Sequence, residues 1–258
     1  MEFKLLGEER REYILNLVNK TGSVNSIDIA KILNISETTI RRDLNKLFKK
    51  GLVKRTYGGA IDIDSVGHEL KFEVQKEKFI SEKKKIALAA AELVEDGDVI
   101  LIEAGTTGYQ TALNIKNKRQ LTIITNSCDI AALMGKNNPH YNIILSGGIL
   151  STLTHSLVGP IADWAFNNIN VDKAFIGISG IDIKKGITSV DLAETQTKKN
   201  IMKSAKQVIA LCDHSKIGHV AMNFVAPIKS INIFITDSEA DKDFLKKIRE
   251  LGISTIVK

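Results

Sequence analysis

The sequence predicts two successive folds: a small helical unit closed by a short hairpin, then a larger α/β unit with a mainly parallel sheet. Three observations carry that expectation. Residues 36–59 read as a capped amphipathic helix followed by a basic turn, and from about residue 83 short apolar runs alternate with amphipathic helices. The third is charge. Residues 1–60 hold 12 Lys/Arg against 7 Asp/Glu, a balance of +5 out of +6 for all 258 residues, which leaves about +1 for the other 198.

In the first unit, residues 8–20 carry Ile14, Leu17 and Val18 at helical spacing. Ser26 is expected to cap a short helix that bears Ile27, Ala30 and Leu33 and ends at Asn34. After a tight Asn-Ile-Ser turn, Ser36 can accept the free amide hydrogens of a third helix, Glu37 suits the positive end of its dipole, and Gly51 supplies a left-handed stop. Ile40, Leu44 and Leu47 recur at i, i+4, i+7 and face a core. A step of about 100° per residue then puts Thr38, Arg42, Asn45 and Lys49 on the opposite side, with Thr39 and Arg41 on its flanks. Lys54, Arg55 and Tyr57 lie in the hairpin that follows.

Hydroxyls, an amide and guanidinium forks are the groups that read base edges and phosphates. Three short helices with a basic wing fit an N-terminal winged helix-turn-helix domain, and the local excess of positive charge is what phosphate neutralisation requires. Ser36, Thr38, Thr39, Arg41, Arg42, Asn45, Lys49, Lys54, Arg55 and Tyr57 are therefore the candidate DNA contacts, and double-stranded operator DNA is the expected partner. Two rivals stay open: a small helical domain whose charge only keeps it in solution, and a basic head that binds a protein.

Residues 61–82, with Asp62, Asp64, Ser65 and Gly67 followed by alternating Lys and Glu, have no long apolar face and read as a connector. The expected organisation is thus 1–60, a linker over 61–82, and a second domain over 83–258. Apolar runs occur at 99–102, 121–124, 143–145, 174–178, 208–211, 231–235 and 254–257, with helical stretches at 84–95, 109–116, 128–134, 160–168, 191–205 and 241–251 between most of them. Strands of this kind alternating with amphipathic helices predict a mainly parallel sheet covered on both faces.

Ligands of such sheets bind at the carboxyl ends of the strands. There the sequence places Glu103, Gly105, Thr106 and Thr107, then Asn126, then Gly147 and Gly148, then Asp182, and finally Lys216. A Gly-Thr-Thr loop that opens a helix offers free amide hydrogens, hydroxyls and a positive dipole end to a phosphate. Each residue also has a plain structural reading: Thr106 and Thr107 as caps, Gly147 and Gly148 as a turn, Lys216 as a solvated cation, Asn126 and Asp182 as ligands of turn backbone. Trp164 reads as core or subunit interface rather than a stacking platform.

No phosphate-loop or dinucleotide-binding glycine pattern is present, so no cofactor is expected. Five histidines without clustered spacing give no metal site, and Cys128 and Cys212 read as buried small hydrophobes in a reducing compartment. The apolar runs are too short to span a bilayer and the start lacks a signal-peptide core, which points to a cytoplasmic chain with no membrane partner.

Ser36-Glu-Thr-Thr-Ile-Arg-Arg-Asp-Leu resembles the reading helix of the DeoR family of transcriptional regulators, and Arg55-Thr-Tyr-Gly-Gly-Ala resembles its wing. Glu103-Ala-Gly-Thr-Thr, Thr125-Asn126, Ser146-Gly147-Gly148, Val171-Asp-Lys-Ala-Phe-Ile-Gly, Gly186-Ile-Thr and Asp213-His-Ser-Lys216 resemble its sensor domain. The resemblance implies a repressor of a sugar-utilisation operon, with a sensor that is similar in fold to ribose-5-phosphate isomerase and takes a phosphorylated sugar effector. Glu103 departs from the Asp found before this loop in many members. An isomerase with a DNA-binding head is the rival from another class. Lys185-Gly-Ile-Thr-Ser, with Glu194 nine residues after the lysine, resembles that enzyme's base loop, but Gly177-Ile-Ser-Gly-Ile-Asp182 lacks the first acidic residue of its partner loop. Glu194 therefore joins the effector candidates and no catalytic residue is assigned. Because one head covers one half-site, a homodimer or homotetramer built through the larger domain is expected.

Overall fold

The computed structural model describes residues 6–21, 23–56, 58–61, 72–137 and 140–258. The chain divides into two compact units, residues 1–70 and 71–258. Tyr57 and the residues Asp62, Asp64, Ser65 and Gly67 of the expected connector lie outside the described residues.

The first unit runs α1 (Gly7–Thr21), β1 (Ser23–Asn25), α2 (Ser26–Ile32), α3 (Glu37–Lys49), β2 (Lys54–Thr56) and β3 (Gly59–Ile61). The strands form an antiparallel sheet in the order β1-β3-β2, so the hairpin β2–β3 is tied back to the segment before α2. Ile40, Leu44 and Leu47 are buried with Ile14, Val18 and Ile29, as the apolar stripe requires. The α3 cap forms as expected: Ser36 Oγ accepts from Thr39 N at 3.3 Å, and Gly51 sits at φ 70°.

The α2 cap does not. Asn25 rather than Ser26 takes that place, its Oδ1 accepting from Ile27 N at 2.8 Å. Ser26 is the first helical residue and is buried, where its hydroxyl links Glu37 and the Gly58 carbonyl, both at 2.9 Å.

The second unit begins with α4 (Phe72–Glu77) and α5 (Ile80–Glu92), followed by β4 (Val99–Ile102), α6 (Thr106–Asn114), β5 (Thr122–Thr125), α7 (Cys128–Asn137) and β6 (Asn142–Leu145). A hairpin of β7 (Ile149–Ser151) and β8 (Ser156–Val158) leads to α8 (Pro160–Asn167) and β9 (Val171–Gly177). Next come β10 (Gly180–Asp182), β11 (Gly186–Ser189), α9 (Leu192–Ser204), β12 (Ala205–Leu211), β13 (Asn223–Ala226), β14 (Ile233–Thr236), α10 (Lys242–Glu250) and β15 (Ser254–Val257).

All seven apolar runs enter one parallel sheet in the order β15-β14-β12-β9-β4-β5-β6. In the inner strands alternate residues face opposite cores, whereas the edge strand β6 leaves Ile144 and Leu145 exposed. Ile100, Ile102, Phe175, Ile209 and Ile235 pack under Ile86, Ala90 and Ile130 of α5 and α7, while Leu101, Ala174, Ile176, Ala210 and Phe234 pack under Phe166, Ile201 and Phe244 of α8, α9 and α10. A strand buried on both faces has no polar alternation, which is why these runs read as continuous apolar segments.

Three further expectations need correction. The stretch read as a connector up to residue 82 already contains α4 and the first turn of α5, because Phe72 buries against His155 and its N–H donates to the Leu153 carbonyl at 2.8 Å. Cys128 is exposed on the first turn of α7, and only Cys212 is buried. Trp164 is 69 % exposed, so the core reading of this residue fails. The sequence also gave no sign of the small sheet β10-β11-β13, whose strands are too short and mixed to show a period.

Candidate functional site

On α3, Thr38, Arg42, Asn45 and Lys49 are all exposed, and their side chains make no hydrogen bond or ion pair among the described residues. Their flanking partners are engaged. Ser36 and Thr39 pair through their hydroxyls at 2.8 Å, and the Arg41 guanidinium is drawn to Glu37 at 2.8 Å. Hydrogen bonds from Ser26 and Arg41 hold the Glu37 carboxyl below its usual value. Lys54 is exposed and Arg55 half-buried on β2. Behind this face Asp43 is 2 % exposed and takes Arg10 Nε at 2.6 Å and Arg11 Nη1 at 3.2 Å. Asp43 was readable as a polar intruder three residues after Ile40 on the buried side; its partners in α1 were not.

In the second unit the strand order reverses at β4. The chain proceeds outward through β5 and β6, then returns to place β9 on the other side of β4 and continues through β12 and β14. A crevice at the carboxyl ends of β4 and β9 is the ligand position that such a reversal produces. Glu103 follows β4 and is buried there. Its Oε2 accepts from Gly177 N at 3.0 Å across the crevice and from Lys198 Nζ at 2.6 Å, and Lys198 also donates to the Gly177 carbonyl at 2.6 Å. Burial pushes the Glu103 carboxyl up from its ordinary value, against the pull of Lys198.

The helix α6 starts in the same place. Gly105 is its cap at φ 146°, with open space where a side chain would stand, and the first amides of the helix have no acceptor within it. A Cβ on Gly108 would meet the Glu103 carbonyl at 2.4 Å, so only glycine lets the helix start lie this close to β4. Thr106 and Thr107 are both buried, and their hydroxyls make no hydrogen bond among the described residues.

Asn126, after β5, clamps the neighbouring loops: its Oδ1 accepts from Ala104 N at 2.7 Å and its Nδ2 donates to the Leu157 carbonyl at 3.3 Å. Gly147 and Gly148, after β6, lie against α8, and a Cβ on Gly148 would meet the Val158 carbonyl at 2.7 Å. Lys216 is buried in the short turn after β12. These groups therefore share one edge of the large sheet.

Asp182 lies on the adjoining small sheet, whose Ile181 bridges Ile217 beside Lys216. It ends β10 in the small sheet, where its Oδ1 accepts from Lys184 N and Lys185 N at 2.8 and 2.9 Å and the Lys185 amide holds its carboxyl low. Glu194 stands in the first turn of α9, its Oε1 accepting from Thr154 and, at 2.7 Å, from Ser156. Lys198, Thr154 and Ser156 were missed from the sequence. Lys198 alone left a signal, since it follows Glu194 by four residues on the same face of a helix. Among the described residues no cluster of His, Cys, Asp or Glu could hold a metal, and no helix is long and apolar enough to cross a membrane.

Comparison with known proteins matches both units. Residues 10–66 fit the model of the DeoR-like helix-turn-helix domain, and residues 78–238 fit that of the DeoR C terminal sensor domain. The chain belongs to the DeoR family. It is a DNA-binding transcriptional regulator with a sensor domain.

Among its relatives, the HTH-type transcriptional repressor GlcR of Bacillus subtilis is 34 % identical, over 97 % of this chain and 96 % of its own. The HTH-type transcriptional regulator GolR of Listeria innocua is 30 % identical over 95 % and 96 %. Ribose 5-phosphate isomerase A of Methanocaldococcus jannaschii superposes at a TM-score of 0.38, with 19 % identity over 52 % of this chain and 53 % of its own. Membership of the DeoR family rests on the sequence matches, not on that superposition.

Proposed function

We propose that this DeoR-family regulator represses a sugar-utilisation operon and releases its operator in response to a phosphorylated sugar, in the cytoplasm. The observation that carries the reading is the start of α6 in the crevice beside β9, with free amides, two unengaged hydroxyls and no side chain on Gly105. In this reading the phosphate lies on residues 105–107 with Lys216 as its counter-charge, and Gly147 and Gly148 close the loop beside it. Glu103 and Glu194 each keep acceptor capacity for sugar hydroxyls, whereas the side chains of Asn126 and Asp182 already serve backbone. The isomerase reading has less support: Glu194 is held by two hydroxyls, and proton shuttling needs a base that is free to move a proton.

Operator binding through Thr38, Arg42, Asn45 and Lys49 needs two heads in register. A second copy is therefore the occupant proposed for the exposed apolar residues Leu145, Ile149, Ile161 and Trp164 on β6, β7 and α8, where Ile161 lies beside Gly147 and Ile149 beside Gly159.

The test of the effector site is operator release titrated with a panel of pentose and hexose phosphates. Lys216→Ala is expected to leave operator affinity unchanged and to shift the release curve to about ten- to a hundredfold higher effector, the loss of one charge-assisted bond. A Lys216→Ala protein that responds at the parent's concentration would overturn the placement.

A further inference from the structure

The turn between β7 and β8 has two differently engaged sides. On one side, the hydroxyls of Thr154 and Ser156 meet Oε1 of Glu194, with their oxygens 2.8 Å apart. On the other side, the Leu153 carbonyl accepts from Phe72 N at 2.8 Å, and the His155 ring stacks on Phe72 with centroids 4.8 Å apart and planes 14° apart. His155 Nδ1 is in turn 2.9 Å from Asp129 Oδ2 on α7. The alternation arises because successive side chains of a tight turn leave it in different directions. His155 adopts φ 58°, a left-handed conformation uncommon for a residue with a side chain, so its contacts hold it where it would not rest by itself. Phe72 is the residue at which chain arriving from the DNA-reading unit enters the helices of the second unit.

We propose that the turn 151–156 transmits effector occupancy from Glu194 to Phe72, and so to the segment that joins the DNA-reading unit. This rests on the reading in which sugar hydroxyls meet Glu194. A hydroxyl that donates to Oε1 competes with Thr154 and Ser156 for the same oxygen. When they are displaced, the turn loses two of the bonds that fix it, and the stack and the hydrogen bond on Phe72 loosen together. Differential contact of the effector with the fixed and released turns is what lets it shift the equilibrium between them. Thr154, Ser156, Leu153 and His155 are then positioning residues, acting through Glu194 at one end and Phe72 at the other.

The test is amide hydrogen exchange on the full-length chain, read at Phe72 and His155, whose N–H groups are bonded to Leu153 and Ser151. Glu194→Met, which removes the acceptor and keeps the side-chain volume, is expected to speed exchange at both amides at least fivefold while leaving the Ser254 amide at the far edge of the sheet unchanged. Coupling is reciprocal, so Phe72→Leu is expected to speed exchange at His155 and Leu157 as well. Ser156→Ala gives the same readout if Glu194→Met does not fold. Unchanged exchange at Phe72 in Glu194→Met or Ser156→Ala overturns the coupling. A separate arm adds ribose 5-phosphate to the parent: acceleration at Phe72 supports the proposal. Protection at Thr106 and Thr107 without a change at Phe72 overturns it while the effector reading survives. If ribose 5-phosphate and the rest of the phosphosugar panel all leave Thr106 and Thr107 unprotected, the effector reading fails instead, and the coupling is judged by the variants.

Discussion

Lys198→Met removes the ammonium from the buried pair beneath the crevice and keeps most of the side-chain volume. Lys198 is 2.6 Å from both Glu103 Oε2 and the Gly177 carbonyl, so the variant strands an acceptor and, at neutral pH, a buried carboxylate. Breaking one side of a buried pair costs about 3–5 kcal/mol. The cost has a ceiling, because Glu103 can take up a proton instead. From its ordinary 4.5, protonation at pH 7 is uphill by about 2.5 pH units, or about 3.4 kcal/mol at 1.36 kcal/mol per unit; at pH 5 it is uphill by only about 0.7 kcal/mol.

The expected loss is therefore about 3 kcal/mol at pH 7, shrinking to about 1 kcal/mol at pH 5. The sign follows from burial: a carboxyl whose folded value is raised binds more protons in the folded state, so stability rises as pH falls towards 4.5. Urea unfolding of the full chain, followed by far-UV circular dichroism at both pH values, measures the loss. Adding Glu103→Gln to the variant is expected to recover about 2 kcal/mol at pH 7, since the amide oxygen still accepts from Gly177 N and carries no charge. A loss below about 1 kcal/mol at pH 7, or one equal at the two pH values, would refute the reasoning.

Arg42→Ala is expected to cost about 1–3 kcal/mol on a specific operator, while Lys54→Ala weakens all sequences alike and lowers the salt slope by about 1; fluorescence anisotropy across a salt series separates the two. Asp43→Ala leaves Arg10 and Arg11 facing a half-buried site without their carboxylate, and should lower the stability of the first unit by about 2–4 kcal/mol, read as loss of α3 amide protection. The Asp237 carboxylate, 2.9 Å from His214 Nδ1, raises the imidazole above 6.5. That contribution is complete below pH 6.5 and is lost as pH rises through the raised value, so the melting temperature of the parent should fall between pH 6.5 and 8.5 more steeply than that of His214→Asn. Equal slopes would remove His214 from the account.

Within α3 and the strands of the large sheet the sequence was sufficient. The α3 stripe, its Ser36 cap and Gly51 stop, and all seven apolar strands follow from periodicity and capping, which are set by neighbours a few residues away. The phosphate-suited start of α6 was legible for the same reason, since a glycine and two threonines at a strand end carry their meaning locally.

What only the tertiary structure decided are the choices between equally local options. Asn25 and Ser26 are both good caps, and the hydrogen bonds of Ser26 to Glu37 and Gly58 settled which one caps. Trp164 read as core or interface, and only the packing of α8 on the sheet put its ring outside. Asp43 meets α1 across 33 residues and Lys198 meets Glu103 across 95. Such pairs depend on strand order and on which face each helix covers, and no periodicity in the chain encodes either, because burial specifies that a side chain faces inward but not what it meets there.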